Sequence, residues 1–190
     1  SFSVLEFAAD GTSLGTATAT DVDTVGLIQG WTITSGNADG VFQIDASSGE
    51  IRVFDNTLLN FETTANYVLN LTVHDGANTS ATQTVSISVV DENDIPMLQT
   101  NLGVSVVEGS SVTISSAELS VTDEDELPSQ ILFSVVSPPA AGRLELTSNP
   151  GVSISSFTQD DIDTGRLQYV HDGSEADDGF TFFVSDGSGG

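Results

Sequence analysis

The strongest constraint on the fold is a set of acidic marks that occurs twice. Val4-Leu5-Glu6 is followed, 15 residues after its glutamate, by Asp21-Val22-Asp23; Val106-Val107-Glu108 is followed at the same spacing by Asp123-Glu124-Asp125. Each Asp-x-Asp stands directly after a threonine, Thr20 or Thr122. Each half later carries an apolar run ending in Asp-Gly: Val73-His74-Asp75-Gly76 and Val184-Ser185-Asp186-Gly187. From the first aspartate of Asp-x-Asp to that later aspartate is 54 residues in one half and 63 in the other. The extra length therefore falls among the middle strands and spares the acids, which predicts two copies of one structural unit. Between the halves lies Asp91-Glu92-Asn93-Asp94-Ile95-Pro96, with three carboxylates and an amide in four positions before a proline. Hard cations such as Ca²⁺ gather about 6–8 oxygen ligands, so this stretch is a plausible ligand source. Without a cation its like charges repel, and a solvated acidic linker is the competing reading of the stretch taken alone.

The first half reads as seven short strands: residues 2–7, 14–20, 31–34, 41–44, 51–54, 67–73 and 82–90. Tyr67 to Val73 and Thr82 to Val90 alternate apolar and polar with period two. Turn residues such as Ser35-Gly36-Asn37 and Ser47-Ser48-Gly49 separate the runs. Seven such strands in about 90 residues predict a β-sandwich. In the second half, Thr158 with Asp161 three residues on predicts a capped helical turn over 159–163.

Composition narrows the function classes. Net charge is −25, with three arginines and no lysine, so the chain repels nucleic acid and anionic membrane, and its counter-ions are cations. No cysteine is present, which excludes disulfides and thiolate metal sites. No run of about 18 apolar residues could span a bilayer. The chain opens at Ser1 and its single methionine is Met97, so it reads as a piece of a longer protein with no start or signal segment of its own.

Residues 2–96 resemble a cadherin repeat. The likeness rests on Glu6, Thr20-Asp21-Val22-Asp23, Phe42-Gln43-Ile44-Asp45 before Gly49-Glu50-Ile51, Leu59-Asn60-Phe61-Glu62, Asp75 and the Asp91 to Pro96 stretch. Two positions depart from the family pattern: Asn60 stands where an aspartate is usual, and Ile95 where an asparagine is frequent. The second half is similar to the cadherin-like repeats of the chondroitin sulfate proteoglycan and Fras/Frem group. That likeness rests on Pro138 to Leu144, Phe157 to Ile162, Leu167 to Glu175 and Asp178 to Phe182.

The resemblance implies an all-β chain of two tandem Greek-key β-sandwiches with immunoglobulin-like architecture. The implied parts are a cadherin repeat over 1–90, a calcium-binding linker over 91–96 and a cadherin-like repeat over 97–190. By the internal alignment the second repeat is expected to lack its last strand. The implied Ca²⁺ ligands are Glu6, Asn60 and Glu62 from the first repeat and Asp91, Asn93 and Asp94 from the linker. Carbonyls of Glu92 and Ile95 join them, with Asp123, Asp125 and Asp186 from the second repeat. Asp21, Asp23 and Asp75 form an incomplete site at the N-terminal side, and Glu108 belongs to another at the C-terminal side. The implied role is a calcium-dependent adhesion and spacer segment of a large extracellular repeat protein, whose linker ions rigidify the tandem. Its partners are calcium, neighbouring repeats of the same chain, and either another cell-surface protein or a glycan; no nucleic acid and no membrane insertion are expected. The lysine-free acidic composition suggests a bacterial surface protein.

Other residues carry plainer expectations. His74 and His171 read as strand-end surface residues, since Ca²⁺ prefers oxygen. Trp31 and most of the ten phenylalanines read as core. Asp172, Glu175, Asp177 and Asp178 read as a solvated acidic loop, with a local cation site as the alternative. Asn70-Leu71-Thr72 and Asn78-Thr79-Ser80 match the glycosylation tripeptide, a pattern that arises often by chance. No nucleophile-elbow pattern surrounds the serines, and paired carboxylates recurring in both halves fit structure better than glycoside hydrolysis, so no catalysis is expected. The competing binding function is a carbohydrate-binding module, for which one Trp and two Tyr are a thin supply of stacking surface.

Overall fold

A computed structural model describes residues 1–22 and 27–188. The chain divides into two compact units, Ser1–Glu92 and Asn93–Gly190, each with its own core.

The first unit contains β1 (Phe2–Leu5), β2 (Ser13–Thr16), β3 (Gln29–Ser35), β4 (Phe42–Ile44), β5 (Glu50–Val53), β6 (Asn66–His74) and β7 (Gln83–Val90). One sheet has the order β1-β7-β6-β3 and the other β2-β5-β4. Among the described residues of this unit only β1 and β7 run parallel, pairing Phe2 with Ile87 and Leu5 with Val90. Period-two alternation in β6 puts Tyr67, Leu69, Leu71 and Val73 inward, all buried. They pack with Val4, Val41, Phe42, Ile51, Val53, Leu59, Ile87 and Val89. Phe42 meets Tyr67 edge to face at 5.0 Å, the arrangement that ring quadrupoles prefer. Gly36 has φ +86°, and a Cβ there would stand 1.9 Å from the Val68 carbonyl oxygen, so the turn after β3 requires glycine.

The expected strand over 14–20 ends at Thr16, and the one over 2–7 ends at Leu5, before Glu6 turns inward. Trp31 is buried as expected. Phe7, Phe54 and Phe183 are exposed, which departs from the core reading of the phenylalanines.

The second unit contains β8 (Met97–Asn101), β9 (Ser111–Thr113), β10 (Leu119–Thr122), β11 (Leu132–Ser137), β12 (Gly142–Leu146), β13 (Ser156–Thr158), α1 (Gln159–Asp163), β14 (Leu167–His171) and β15 (Thr181–Ser185). Its sheets are ordered β10-β8, β13-β11-β15 and β12-β14-β9. Phe133 stacks on Phe157 at 4.9 Å, and Ile131, Leu144, Ile162 and Leu167 are buried beside them. The helical turn has the expected capping box: Thr158 Oγ1 accepts from Asp161 N, and Asp161 Oδ2 accepts from Thr158 N at 2.9 Å. No helix is long and apolar enough to cross a membrane among the described residues.

Candidate metal centres

Acidic side chains converge at one place in each unit. In the first, Glu6, Glu62 and Asp91 offer carboxylate oxygens that all lie within 4.8 Å of one another. Glu6 is the anchor, at 1% exposure. Burying a carboxylate is unfavourable unless donors satisfy it, and here the backbone supplies them. Glu6 Oε2 accepts from Phe61 N at 2.8 Å and Oε1 from Glu92 N at 2.6 Å. The Glu6 N–H donates in turn to Val90 O at 3.2 Å, so the end of β1 is tied to the end of β7 and to the residues after it.

Asn60 stands two residues before Glu62. Its Oδ1 accepts from Thr63 N at 2.6 Å and from the Thr63 hydroxyl, which fixes the turn that presents Glu62.

In the second unit Asp123, Glu126 and Asp186 converge within the same 4.8 Å limit. Asp123 Oδ1 accepts from Asp125 N and Glu126 N at 3.0 and 3.1 Å, a local turn that follows from the short Asp-x-Asp-Glu spacing. Asp186 is 5% exposed; its Oδ2 accepts from Asn93 Nδ2 at 2.9 Å and its Oδ1 from Ser188 N at 2.8 Å. Asp94 N donates to Asp125 Oδ2 at 2.6 Å. Asn93 and Asp94 are therefore joined to the same group as Asp123, Asp125 and Asp186.

Glu126 was not anticipated from the sequence. Its Oε1 accepts from the Ser188 hydroxyl at 2.9 Å, while Oε2 is buried without a hydrogen-bond partner, as is Asp123 Oδ2. The Ser188 hydrogen bond lowers the Glu126 pKa, but burial and the neighbouring Asp123 and Asp186 charges outweigh it and raise the carboxyl above its ordinary value. The available signal was adjacency: Glu126 directly follows Asp123-Glu124-Asp125, where the first half has Thr24 after Asp21-Val22-Asp23.

The donor set suits a hard cation. Every side chain offered is a carboxylate or amide oxygen source, and no thiol or imidazole takes part in either group. Buried carboxylate oxygens with no hydrogen bond are the atoms a cation would satisfy. The protein's own cations are engaged elsewhere: Arg52 pairs with Glu50, Arg143 with Glu145, and Arg166 with Asp160 and Asp161.

The other expected residues fall as follows. Asp75 Oδ1 accepts from Ala77 N and Asn78 N at 2.7 and 2.6 Å, and these backbone bonds hold its pKa low. Asp21 is exposed, and Asp23 lies outside the described residues. Glu108 is exposed. His171 corrects the surface reading: it is 8% exposed, with Nδ1 accepting from Gly173 N at 3.0 Å. Asp178 corrects the solvated-loop reading. It accepts from Ala140 N, Ala141 N and the Tyr169 hydroxyl at 2.7–2.9 Å.

Comparisons with known proteins agree with this architecture. Residues 1–90 match the cadherin domain family and residues 96–189 the family described as cadherin-like. The extracellular matrix organizing protein FRAS1 of Mus musculus is 34% identical over 148 residues, 76% of this chain and 4% of that protein. Chondroitin sulfate proteoglycan 4 of Rattus norvegicus is 33% identical over 117 residues, 60% of this chain and 5% of that protein. The chain thus spans a small fraction of either relative. Cadherin-23 repeats EC22–24 of mouse superpose with a TM-score of 0.56 at 20% identity, covering 96% of this chain and 61% of that one, a likeness of fold alone. These relatives are named for the extracellular matrix and for a proteoglycan rather than for an enzyme, in keeping with the expectation of no catalysis. They are animal proteins, so the bacterial source suggested by composition finds no support.

Proposed function

The chain belongs to the cadherin family, as a cadherin domain followed by a cadherin-like domain, and from that premise we propose that it is a calcium-dependent adhesion and spacer segment of a large extracellular repeat protein. Ca²⁺ held by the linker and by the acidic group of each domain restricts the linker. The observation that carries this reading is how the linker's residues divide. Asp91 belongs to the first unit's acidic group, and the Glu92 N–H binds its Glu6. Asn93 and Asp94 bond to Asp186 and Asp125 of the second. Four consecutive residues thus serve two oxygen-rich groups, and an ion at each group would fix the backbone on both sides of the Glu92–Asn93 peptide bond.

In this reading Glu6, Glu62 and Asp91, with Asn60 beside them, hold calcium in the first domain. Asn93, Asp94, Asp123, Asp125, Glu126 and Asp186 hold it in the second. The ion supplies charge neutralisation and oxygen cross-linking; the chain supplies a preformed cage held by backbone amides. Mg²⁺ substitutes poorly, because it demands tight octahedral geometry and dehydrates reluctantly. Carbohydrate binding by aromatic stacking loses ground, since Trp31, Tyr67 and Tyr169 are all buried.

Calorimetric titration tests the reading. Calcium is expected to bind with Kd on the order of 10⁻⁴–10⁻³ M or somewhat tighter, the range of extracellular modules. Asp94→Ala should weaken binding far more than Asp39→Ala, an exposed residue outside both acidic groups. A glutamate-specific protease should cut after Glu92 faster in chelator than in calcium. Equal affinities for the two variants, or cutting insensitive to calcium, would remove the proposal.

A further inference from the structure

The two tripeptides of glycosylation pattern, Asn70-Leu71-Thr72 and Asn78-Thr79-Ser80, are equivalent in sequence and sharply different in the fold. Each has the asparagine amide and the third-position hydroxyl that transfer of an N-linked glycan requires. A glycan is bulky and hydrophilic, so its asparagine needs open surface.

Asn70 does not have it. It lies in the middle of β6, with β3 on one side and β7 on the other, and it pairs with Ser35 and with Thr84. Its Nδ2 donates to the Ser35 hydroxyl at 2.7 Å, and its carbonyl accepts from the Thr34 hydroxyl at 3.1 Å. Leu71, the middle residue, is 3% exposed in the core, and Thr72 pairs with Thr32. A sugar on Asn70 Nδ2 would have to displace Ser35 from a tripeptide pinned between two neighbouring strands.

Asn78 is placed differently. It stands in the connection from β6 to β7, where residues 76–84 are all exposed. Asp75 shapes the turn: its Oδ1 accepts from Ala77 N and Asn78 N at 2.7 and 2.6 Å, and its N–H donates to the Asn78 carbonyl at 3.2 Å. Ser80 is tied to Val73, its N–H donating to Val73 O at 2.8 Å and its Oγ accepting from Val73 N at 3.1 Å. That second bond uses a lone pair of the hydroxyl and leaves its hydrogen for another acceptor. The Asn78 amide is left at the surface beside the Asp75 carboxyl.

We propose that Asn78 is a site of N-glycosylation and that Asn70, despite its matching tripeptide, is not. The co-reactant is a polyprenyl diphosphate oligosaccharide. Asn78 Nδ2 bonds to the anomeric carbon of the first sugar as that carbon's bond to the diphosphate oxygen breaks. The diphosphate leaves with the electron pair, and Nδ2 gives up one proton. The proposal rests on the extracellular part of the reading above, since such transfer acts on secreted chains, and not on its calcium part.

The test passes the 190-residue chain through the secretory pathway of an animal cell and reads the secreted product by peptide mass. The Asn78 peptide should carry a glycan and, after amidase release, return with aspartate at position 78. The Asn70 peptide should stay bare. Asn78→Gln and Ser80→Ala should each remove the glycan, whereas Asn70→Gln should leave it. Because Ser80→Ala also takes away the acceptor of the Val73 N–H, Ser80→Thr serves as its control and should keep the glycan. A bare Asn78 in the secreted chain overturns the proposal, and so does a glycan at Asn70. Occupancy is read on digested peptides whatever calcium does, so a failed titration leaves this result standing, and a bare Asn78 leaves the titration standing.

Discussion

Glu6 and Glu108 hold the same place in the repeat and have opposite surroundings. Glu6 is 1% exposed, with both oxygens taken by backbone amides; Glu108 is exposed on the rim of an open groove. The local sequences, Val4-Leu5-Glu6 and Val106-Val107-Glu108, hardly differ. What differs is the chain brought alongside. One donor to Glu6 is Glu92 N, which follows β7, and β7 has no counterpart among the described residues of the second unit. A carboxylate at this position is buried only where a neighbouring strand delivers amides to it. The exposed acid and the open groove lie together where the described residues of the second unit hold no counterpart of β7.

The largest expected effect tests that contrast in the cores. Leu71→Ala removes a side chain that is 3% exposed between two paired strands, and should destabilise the first unit by about 2–5 kcal/mol. Phe182→Ala, at the matching position, should cost the second unit less than the roughly 3–5 kcal/mol typical of a fully buried phenylalanine. Denaturant unfolding followed separately for the two units decides it. A full penalty at Phe182 would mean that the groove is already closed.

Next in size is calcium. Ligand at about 100 times its Kd stabilises a folded unit by roughly 2.7 kcal/mol, so chelation should lower both melting transitions. Glu62→Gln should remove part of the gain from the first unit alone, and Glu126→Gln from the second alone. A variant that moved both transitions equally would break the assignment of one acidic group to each unit.

These variants also mark how far the sequence could be read. Regular patterns were legible: the alternation of Tyr67 to Val73 anticipates β6, and Thr158 with Asp161 anticipates the helical turn and its cap. The acids repeated at fixed spacing were legible as well, and Glu6, Glu62 and Asp91 converge, as do Asp123 and Asp186. Residues whose role depends on distant backbone were not. Asp178 is bound by Ala140 and Ala141 amides 37–38 residues away, and nothing in its own acidic stretch announces them. His171 is buried by β14 pairing within its sheet rather than by its local sequence. Strands as short as β9 and β13 have too few residues to show a period.

A smaller effect is expected at the helical turn. Thr158→Ala removes one half of the capping box and should cost the second unit about 0.5–2 kcal/mol. The first unit, whose 3₁₀ turn Asn56–Leu58 is capped by Asp55 instead, should be untouched. Thermal unfolding of the variant checks both.

The two core tyrosines give the finest comparison. Tyr67 donates its hydroxyl hydrogen to the Leu58 carbonyl at 3.2 Å, whereas the Tyr169 hydroxyl lies 2.7 Å from Asp178 Oδ2 and 3.0 Å from Ala141 O. Burial, and then the Asp178 carboxylate, push Tyr169 up to about 12. Burial opposes ionisation of Asp178, but the Tyr169 hydroxyl and the Ala140, Gly179 and Ala141 amides outweigh it and hold the carboxyl below its ordinary 3.8. A depressed carboxyl stabilises the fold above its unfolded pKa, and that contribution fades as pH falls below about 3.8 toward the folded value. A raised phenol stabilises below its unfolded pKa of about 10 and fades as pH climbs toward about 12. The pair therefore bounds the second unit on both sides. Tyr169→Phe removes the hydroxyl that favours the ionised carboxyl, so Asp178 should titrate closer to 3.8 and acid unfolding of the second unit should begin at higher pH. Tyr67→Phe should leave the acid limb of the first unit where it is, because its partner is a carbonyl with no proton to exchange. Melting temperature measured from pH 2.5 to 5 for the two variants decides the matter: an acid limb of the second unit left unmoved by Tyr169→Phe would mean that Asp178 draws its low pKa from the backbone amides alone.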